Sequence, residues 1–169
     1  FAIEHASSDI MGTTALHSLY SFITSSERRK ALLLGQCEPL ADLTKQLTRS
    51  YHSTYDEIVL KAKQANDYFL LIGPPGTGKT SMALQFLVRE TLAEKEDSNI
   101  LLLSYTNRAV DEICGMLSEN DIDYIRIGNE FSCNPQFKNH LLAAKIAQNP
   151  QLETIKNTII NSRITVCTT

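Results

Sequence analysis

Nine consecutive residues in the middle of the chain have the side chains and the backbone freedom needed to hold phosphate groups. They are Gly73, Pro74, Pro75, Gly76, Thr77, Gly78, Lys79, Thr80 and Ser81, and the first eight match G-x-x-x-x-G-K-[ST] at every fixed position. Glycines let the backbone turn with several N–H groups pointing inward, so that these donors and the positive end of a following helix converge on a phosphate. A Gly/Pro turn with a solvated lysine would require the match to be accidental. We call residues 73–80 the phosphate loop and expect them, with Ser81, to bind the phosphates of a nucleotide.

Two side chains of the phosphate loop are the candidate catalytic groups. Lys79 carries a full positive charge on a flexible stem and can reach the β- and γ-phosphates of a nucleotide. The hydroxyl of Thr80 is a group that ligates Mg²⁺ beside such phosphates. The sequence therefore predicts a nucleotide site in which Thr80 holds a Mg²⁺ ion.

A second group of polar residues follows the apolar run at 100–104. Thr106, Asn107 and Arg108 start a helical pattern, and Thr106 or Asn107 can serve as its N-cap. The buried stripe of that helix would be Val110, Ile113 and Leu117. Hydroxyl, amide and guanidinium groups at a helix N-terminus are suited to gripping a nucleic-acid phosphate. An ordinary capped helix explains the same residues, so both interpretations stay open.

The phosphate loop and residues 106–108 must be positioned by strands and helices. The pattern of hydrophobic residues predicts where these strands and helices lie. Short apolar runs predict strands at 68–72, 100–104, 123–127 and 164–167. Helical patterns lie at 79–95, at 107–119 and, as a pair split at Asn149-Pro150, over 135–161. Apolar strands alternating with helices predict an α/β fold, a parallel sheet with helices on both faces. Ligands bind at one edge of such a sheet, so both motifs should open on that edge.

The sequence before residue 68 shows patterns typical of helices and none typical of strands. Within residues 1–50 one helix ends at Gly35, which is a suitable C-cap. Another helix, over 53–65, starts at Thr54 and Glu57, whose spacing fits a capping box. We therefore predict a helical N-terminal segment at 1–50 and a nucleotide-binding lobe at 51–169.

The composition restricts the class of protein. The chain has 169 residues, 43% of them hydrophobic, and a net charge of -3, which indicates a globular domain without a general positive field for nucleic acid. The sequence contains no signal peptide and no run of 18 apolar residues, so we expect no contact with a membrane. The four scattered cysteines predict a reducing, cytoplasmic location and neither disulfides nor a zinc site.

The phosphate loop and the sequence Tyr-Thr-Asn-Arg-Ala-Val-Asp at 105–111 together resemble motifs I and Ia of superfamily 1 helicases. The similarity is to the branch containing the nonsense-mediated-decay and Okazaki-fragment-processing helicases. Segments 125–128 and 163–169 resemble further parts of this family, the second of them the start of motif Ic or Ib. The resemblance covers about residues 54–169 and leaves residues 1–50 without a family motif.

This resemblance implies a RecA-like P-loop NTPase lobe that binds ATP and Mg²⁺ through Gly76, Gly78, Lys79 and Thr80. The parent protein would couple ATP hydrolysis to translocation on single-stranded DNA or RNA. The residues that would contact the strand are Thr106, Asn107, Thr168 and Thr169. The helices at 135–161 would be either a small insertion typical of this branch or plain cover for the sheet. The alternative function is a P-loop switch or regulatory module without unwinding activity, which requires the match at 106–111 to be accidental.

The sequence departs from the family pattern at the position that reads adenine. The glutamine that the family uses for this purpose is expected near Tyr55. The base is therefore recognised in another way, such as stacking on Tyr55 or Tyr51, or it is selected only weakly.

The second departure concerns the acidic pair that completes an ATPase site. Asp111-Glu112 lie inside a predicted helix and Asp56-Glu57 precede the phosphate loop, so we predict that all four are solvated helix charges. An Asp-Glu pair after a strand would anchor Mg²⁺ and orient the attacking water. Without this Walker B pair and a second lobe, we expect the chain to be a truncated piece of a longer enzyme and nearly inert alone.

Overall fold

The computed structural model describes residues 10–95, 97–147 and 151–169. The chain divides into two units, one ending at Ala41 and the other running from Asp42 to Thr169. The division into functional regions at residue 50 stays a prediction. Among the described residues, every helix is too short or too polar to cross a membrane.

The first unit is helical, as the sequence predicts. Helix α1 covers Ile10–Thr24 and helix α2 covers Glu27–Leu33. Gly35 follows α2 with a φ of 67°, and its N–H donates to the carbonyl of Leu32 at 3.1 Å. Glycine adopts this left-handed conformation without a steric cost, so the predicted helix end at Gly35 is confirmed.

A parallel sheet lies at the centre of the second unit, with three strands in the described part of the chain. Strand β1 covers Ile100–Ser104, β2 covers Ile125–Ile127 and β3 covers Ile164–Thr168. β3 lies between the other two, pairing with β1 along its whole length and with all of β2. The strands predicted at 100–104, 123–127 and 164–167 are present, although β2 is two residues shorter. The predicted α/β class with a parallel sheet is confirmed.

Helix α5, which covers Asn107–Glu119, packs against one face of this sheet. The buried residues that it shares with the strands include Leu102, Val110, Ile113, Leu117 and Val166. The predicted stripe is therefore the buried face of the helix. On the opposite face of the sheet Leu101 and Leu103 are 60% and 49% exposed, so helices cover the two faces unequally.

The strand predicted before the phosphate loop is not formed. Residues 68–72 have no regular secondary structure and pair with none of the described strands. Leu70 and Ile72 are 72% and 90% exposed. The prediction was wrong because an apolar run indicates only that a segment gains from burial. A strand also needs hydrogen bonds to a neighbour, and residues 68–72 make no such ladder with β1, β2 or β3.

The helix after the phosphate loop starts in an unusual way. Its first turns, Lys79–Leu84, are a π-helix, and helix α4 continues over Gln85–Glu94. The Ala83 N–H donates to the carbonyl of Gly78, five residues back, at 3.0 Å. The two segments together confirm the helix predicted at 79–95.

Helix α3 covers Asp56–Gln64, inside the predicted range, but the predicted capping box is wrong. The N-cap position belongs to Tyr55, whose side chain makes no capping bond, and Glu57 pairs with Lys61 at 2.7 Å. The N–H of Thr54, which a capping box would pair with Glu57, instead donates to Nδ1 of His52 at 3.2 Å. The carboxylate of Asp56 accepts the N–H groups of Tyr51 and His52, in the turn before the helix.

The region 129–161 is helical in short pieces. It contains two 3₁₀ helices, Glu130–Ser132 and Pro135–His140, followed by helices α6 (Leu142–Lys145) and α7 (Leu152–Asn161). The predicted break at Asn149-Pro150 lies outside the described residues. α6 contacts β2, and the choice between an insertion and plain sheet cover stays a prediction.

Candidate nucleotide-binding site

The phosphate loop has a backbone that depends on its glycines. Gly76 and Gly78 have φ angles of 78° and 74°, in the left-handed region that side chains other than glycine rarely adopt. The hydroxyl of Thr77 donates to the carbonyl of Pro74 at 2.8 Å and closes the turn between them. The loop is therefore held in a tight curve whose shape is set locally by its own sequence.

The side chain of Lys79 folds back into this curve. Its Nζ donates to the carbonyl oxygens of Gly73 and Pro74. This arrangement keeps an ammonium group at the mouth of the loop, where its acceptors are neutral oxygens. A phosphate is a stronger acceptor for such a charge than a carbonyl is.

A cavity of about 610 Å³ lies between the phosphate loop and helix α5. Lys79, Thr80 and Ser81 line one side of it, and Glu112 and Glu119 lie on the other. The structure therefore brings together the predicted phosphate-binding residues and one face of α5. The sequence predicts Glu112 as an exposed helix charge and gives no role to Glu119, so neither glutamate was expected at this cavity. Their spacing of seven residues places them on one helix face, but the sequence does not say what that face meets.

Tyr55 supports the phosphate loop from the upstream side. Its hydroxyl donates to the carbonyl of Thr77 at 3.1 Å, and a Cβ added at Gly78 would come within 2.5 Å of the same hydroxyl. The ring of Tyr55 lies edge-on to Phe86 of α4 and to His52, with centroid distances of 5.8 and 5.5 Å. The residue at the expected position of the adenine-reading glutamine thus contacts the loop itself.

A buried carboxylate joins the segment before α3 to helices α3 and α4. Glu90 of α4 is 2% exposed and forms an ion pair with Lys63 of α3 at 2.7 Å. It also accepts bonds from the N–H and hydroxyl of Thr48, at 2.9 and 2.6 Å, and from the hydroxyl of Tyr51 at 2.7 Å. Burial alone raises the pKa of Glu90, but the bonds from Lys63, Thr48 and Tyr51 outweigh it and lower the pKa to about 2.

The Glu90 cluster, consisting of Thr48, Tyr51, Lys63 and Glu90, was also missed by the sequence analysis. A single glutamate in an amphipathic helix carries no sign of burial, because the same residue type is common on exposed helix faces. The cluster fixes the helix that follows the phosphate loop to the helix that precedes it. It is therefore part of the support of the site although it lines neither side of the cavity.

The second predicted motif lies at the N-terminus of α5. The hydroxyl of Thr106 accepts the N–H of Ala109 at 3.2 Å, so the predicted N-cap is present. Asn107 is exposed, and the side chain of Arg108 is 91% exposed and lies 3.7 Å from Glu112. These residues do not line the cavity beside the phosphate loop.

The ends of β1 and β3 meet next to this helix start. Ser104 pairs with Thr168, and the N–H of Thr169 donates to the carbonyl of Ser104 at 3.1 Å. Both threonines are exposed. Thr168 and Thr169 thus lie beside the end of β1, which leads into Thr106, and their contact with nucleic acid stays a prediction.

One of the four predicted solvated acids is an internal partner. Asp111 forms an ion pair with Arg126, which is 1% exposed, and accepts the N–H of Asn134 at 3.3 Å. The prediction of a solvated charge was wrong for Asp111, because it pairs with a buried guanidinium. Asp56 is half-buried and accepts bonds from the hydroxyl of Ser50 and from two backbone N–H groups, which lower its pKa.

The other two acids are exposed helix charges, as predicted. Glu57 and Glu112 have side chains that are 76% and 61% exposed, and each faces a basic residue four positions away on its own helix. No cluster of three or more His, Cys, Asp or Glu residues that could hold a metal occurs within residues 10–95, 97–147 and 151–169. Thr80, whose hydroxyl is the metal ligand that the sequence predicts, lines the cavity beside the phosphate loop.

Comparison with known proteins gives a family and several relatives. A family model described as an AAA domain matches residues 50–168. The DNA replication ATP-dependent helicase/nuclease JHS1 of Arabidopsis thaliana is 35% identical over 96 residues, 57% of this chain and 7% of that protein. The DNA2 protein of Saccharomyces cerevisiae, of the same description, is 31% identical over 106 residues, 62% of this chain and 7% of that protein.

A third relative has a different description. The DNA polymerase alpha-associated DNA helicase A of Schizosaccharomyces pombe is 28% identical over 121 residues, 72% of this chain and 18% of that protein. The chain therefore spans less than a fifth of the length of each of these three relatives. The family match begins near the segment that carries Thr48 and Tyr51 and runs through β3.

Proposed function

The chain belongs to the AAA domain family, as a P-loop NTPase region of superfamily 1 helicases, and from that membership we propose that it is the ATP-binding portion of an ATP-dependent helicase. In this proposal the parent protein couples ATP hydrolysis to translocation on single-stranded DNA or RNA. The observation that carries the proposal is the phosphate loop, with two left-handed glycines and with Lys79 and Thr80 facing a cavity.

The geometry of the loop fits a nucleoside triphosphate with Mg²⁺. A side chain at Gly78 would meet both a strained φ and the hydroxyl of Tyr55, so the curve is available only to glycine there. The positive φ at Gly76 and Gly78 turns successive N–H groups to the same side, which is the arrangement that cradles anions. The ammonium of Lys79 adds a charge that its carbonyl partners do not neutralise.

In the proposed mechanism different residues of the chain have different roles in phosphoryl transfer. The backbone of the phosphate loop holds the phosphates, Lys79 offsets the charge that grows on the transferred group, and Thr80 ligates Mg²⁺. Mg²⁺ held by the hydroxyl of Thr80 would supply further charge neutralisation. Gly73, Pro74, Pro75, Thr77 and Ser81 shape the loop around them.

The contact with nucleic acid is assigned to the edge where α5 begins. Exposed amide and guanidinium groups of Asn107 and Arg108, and the helix start capped by Thr106, are suited to a phosphate of the backbone. Thr168 and Thr169 extend this edge with two further hydroxyls. Two of the relatives are described as a DNA replication ATP-dependent helicase/nuclease and one as a DNA helicase A. These descriptions favour DNA over RNA as the nucleic acid that the parent protein binds.

The test measures ATP hydrolysis by the full-length protein with and without single-stranded DNA or RNA. We expect stimulation by one of these strands, and a loss of about 100-fold or more in the Lys79→Ala variant. The matched control is Lys61→Ala, since that lysine is exposed on α3 and away from the cavity. Hydrolysis without any response to either strand would favour the switch module over the helicase.

A second measurement concerns the 169-residue chain by itself. We expect weak binding of Mg-nucleotide and negligible turnover, because no Asp-Glu pair to orient the attacking water directly follows any of the three described strands. Steady hydrolysis that Lys79→Ala abolishes would show that the chain is a complete enzyme. The proposed location of the parent protein is the cytoplasm, which fluorescence microscopy of a tagged full-length protein would test.

A further inference from the structure

A second, smaller cavity borders the phosphate loop on its upstream side. Its volume is about 300 Å³, and Gly73, Pro74, Thr77 and Lys79 line it from the loop. The remaining walls come from the start of α3, from the π-helix and from the segment before the loop, and they include Tyr55, Ile58 and Leu71. Because the cavity shares Thr77 and Lys79 with the phosphate loop, it lies next to any phosphates held there.

The side chains that line this cavity offer little that distinguishes one base from another. Among the described residues that line it, none has a carboxamide or a carboxylate, and the upstream wall combines apolar side chains with the hydroxyls of Thr54 and Tyr55. The hydroxyl of Thr54 can rotate to donate or to accept, so it does not favour one base edge over another. Bases differ in the order of hydrogen-bond donors and acceptors along their edges. Strong discrimination between such ligands needs a buried polar group that the wrong ligand leaves unpaired, and apolar walls do not provide it.

The hydroxyl of Tyr55 is engaged within the protein. A phenol has one hydrogen to donate, and that hydrogen goes to the carbonyl of Thr77 at 3.1 Å. The ring is fixed by its contacts with Phe86 and His52. The carboxylate of Asp56 holds the backbone of the turn that precedes the tyrosine. All of these contacts direct Tyr55 at the loop between Gly76 and Gly78.

We propose that Tyr55 positions the phosphate loop and does not read the base, so that this site binds the four common nucleoside triphosphates with similar affinity. The inference rests on the proposed function, since it requires that the phosphate loop holds a nucleotide. It adds that the free energy of binding comes from the phosphates and from packing of the base. Neither part depends on which base is attached.

The first experiment measures base selectivity in the full-length protein with Mg²⁺ and without nucleic acid. A fluorescent ATP labelled on its ribose is displaced by unlabelled ATP, GTP, CTP or UTP, and a dissociation constant is obtained for each. We expect the four constants to agree within about five-fold. ATP that binds more than about 30-fold more tightly than the other three would overturn the proposal.

The second experiment removes only the hydroxyl of Tyr55. We expect Tyr55→Phe to weaken all four nucleotides by the same factor, about five-fold, because one neutral hydrogen bond to the loop is lost. Hydrogen exchange at residues 73–80 should become faster in the same variant. The matched control is Tyr124→Phe, which removes a phenol hydroxyl that is bonded to Ser118 beneath α5 and should leave the affinities unchanged. A change in the ATP to GTP ratio in Tyr55→Phe, or unchanged affinities, would contradict a positioning role.

Failure of this inference and failure of the proposed function give different results. If the labelled ATP does not bind, or binds equally well to Lys79→Ala, the phosphate loop is not a nucleotide site and the proposed function fails. If binding depends on Lys79 but strongly prefers ATP, the nucleotide site stands and only the inference about Tyr55 fails. The measurements on the unchanged protein test base selectivity even if a variant is poorly folded.

Discussion

The phosphate loop and the helix start at Thr106 are held in place by two different kinds of contact. Thr106 follows β1, which is paired with β3 along its whole length and covered on one face by α5. Gly73 follows residues 68–72, which pair with none of the described strands. The phosphate loop instead depends on side chains of neighbouring helices, through Tyr55 and the Glu90 cluster.

This difference affects how each region responds to mutation. In the β1 region the stabilising contacts are spread over a ladder of hydrogen bonds and a broad apolar core, so each side chain carries a moderate share. Around the phosphate loop a few polar side chains connect α4 to α3 and to the segment before α3. Glu90 alone contacts three other residues. Single substitutions should therefore have their largest effect in the Glu90 cluster.

Glu90→Gln should produce the largest loss of stability. The substitution removes the nearer carboxylate from the buried Lys63 and leaves only Glu94, at 3.8 Å, so we expect the free energy of unfolding to fall by about 3 to 5 kcal/mol. Urea denaturation of the full-length protein measures this. Glu57→Gln is the control, because that exposed pair with Lys61 contributes less than about 0.5 kcal/mol. A loss below about 1 kcal/mol for Glu90→Gln would mean that the two regions are supported alike.

Leucine truncations test the other side of the comparison. Leu102→Ala in β1 removes a buried side chain from the core, and we expect a loss of about 3 kcal/mol. Leu70→Ala in the unpaired segment removes a side chain that is 72% exposed, and we expect less than about 0.5 kcal/mol. Equal losses in urea denaturation would show that residues 68–72 are as well packed as a strand.

Acid should loosen the Glu90 cluster before it affects the core around β1. The pKa of Glu90 is lowered from 4.5 to about 2 by folding, so its contribution is complete above pH 4.5 and is lost as the pH falls toward 2. We expect a loss on the order of 2 kcal/mol over that range. Thermal unfolding at a series of pH values measures it. The slope should be smaller in Glu90→Gln, and an unchanged slope would assign the pH dependence to other carboxyl groups.

The smallest effect is expected at the cap of α5. Thr106→Ala removes the acceptor for the N–H of Ala109 and should cost about 1 kcal/mol, whereas Thr106→Ser keeps the acceptor and should cost less. Binding of single-stranded DNA by the full-length protein gives a separate readout. If both variants bind the strand as tightly as the original protein, Thr106 is only a helix cap.

The parts of the fold that were predicted correctly are those where local signals agree with burial. The cap at Thr106, the buried stripe of α5 and the glycine after α2 are each determined by residues within about two helical turns. Residues 68–72 failed because strand pairing depends on segments distant in the sequence. The roles of Tyr55, Glu90 and Glu112 were missed for a related reason, since each depends on which helix faces which, and periodicity does not specify that.

The π-helix at Lys79–Leu84 has a consequence for changes in chain length. Its bond from Ala83 to Gly78 spans one residue more than an α-turn does. A deletion of one residue within this turn can be absorbed by conversion to regular α-helix, which leaves Phe86 and Glu90 in phase with each other and with their neighbours. The same deletion between Phe86 and Glu90 would rotate the rest of α4 by about 100°. The start of this helix is therefore the position where a change of one residue in chain length disturbs the rest of α4 least.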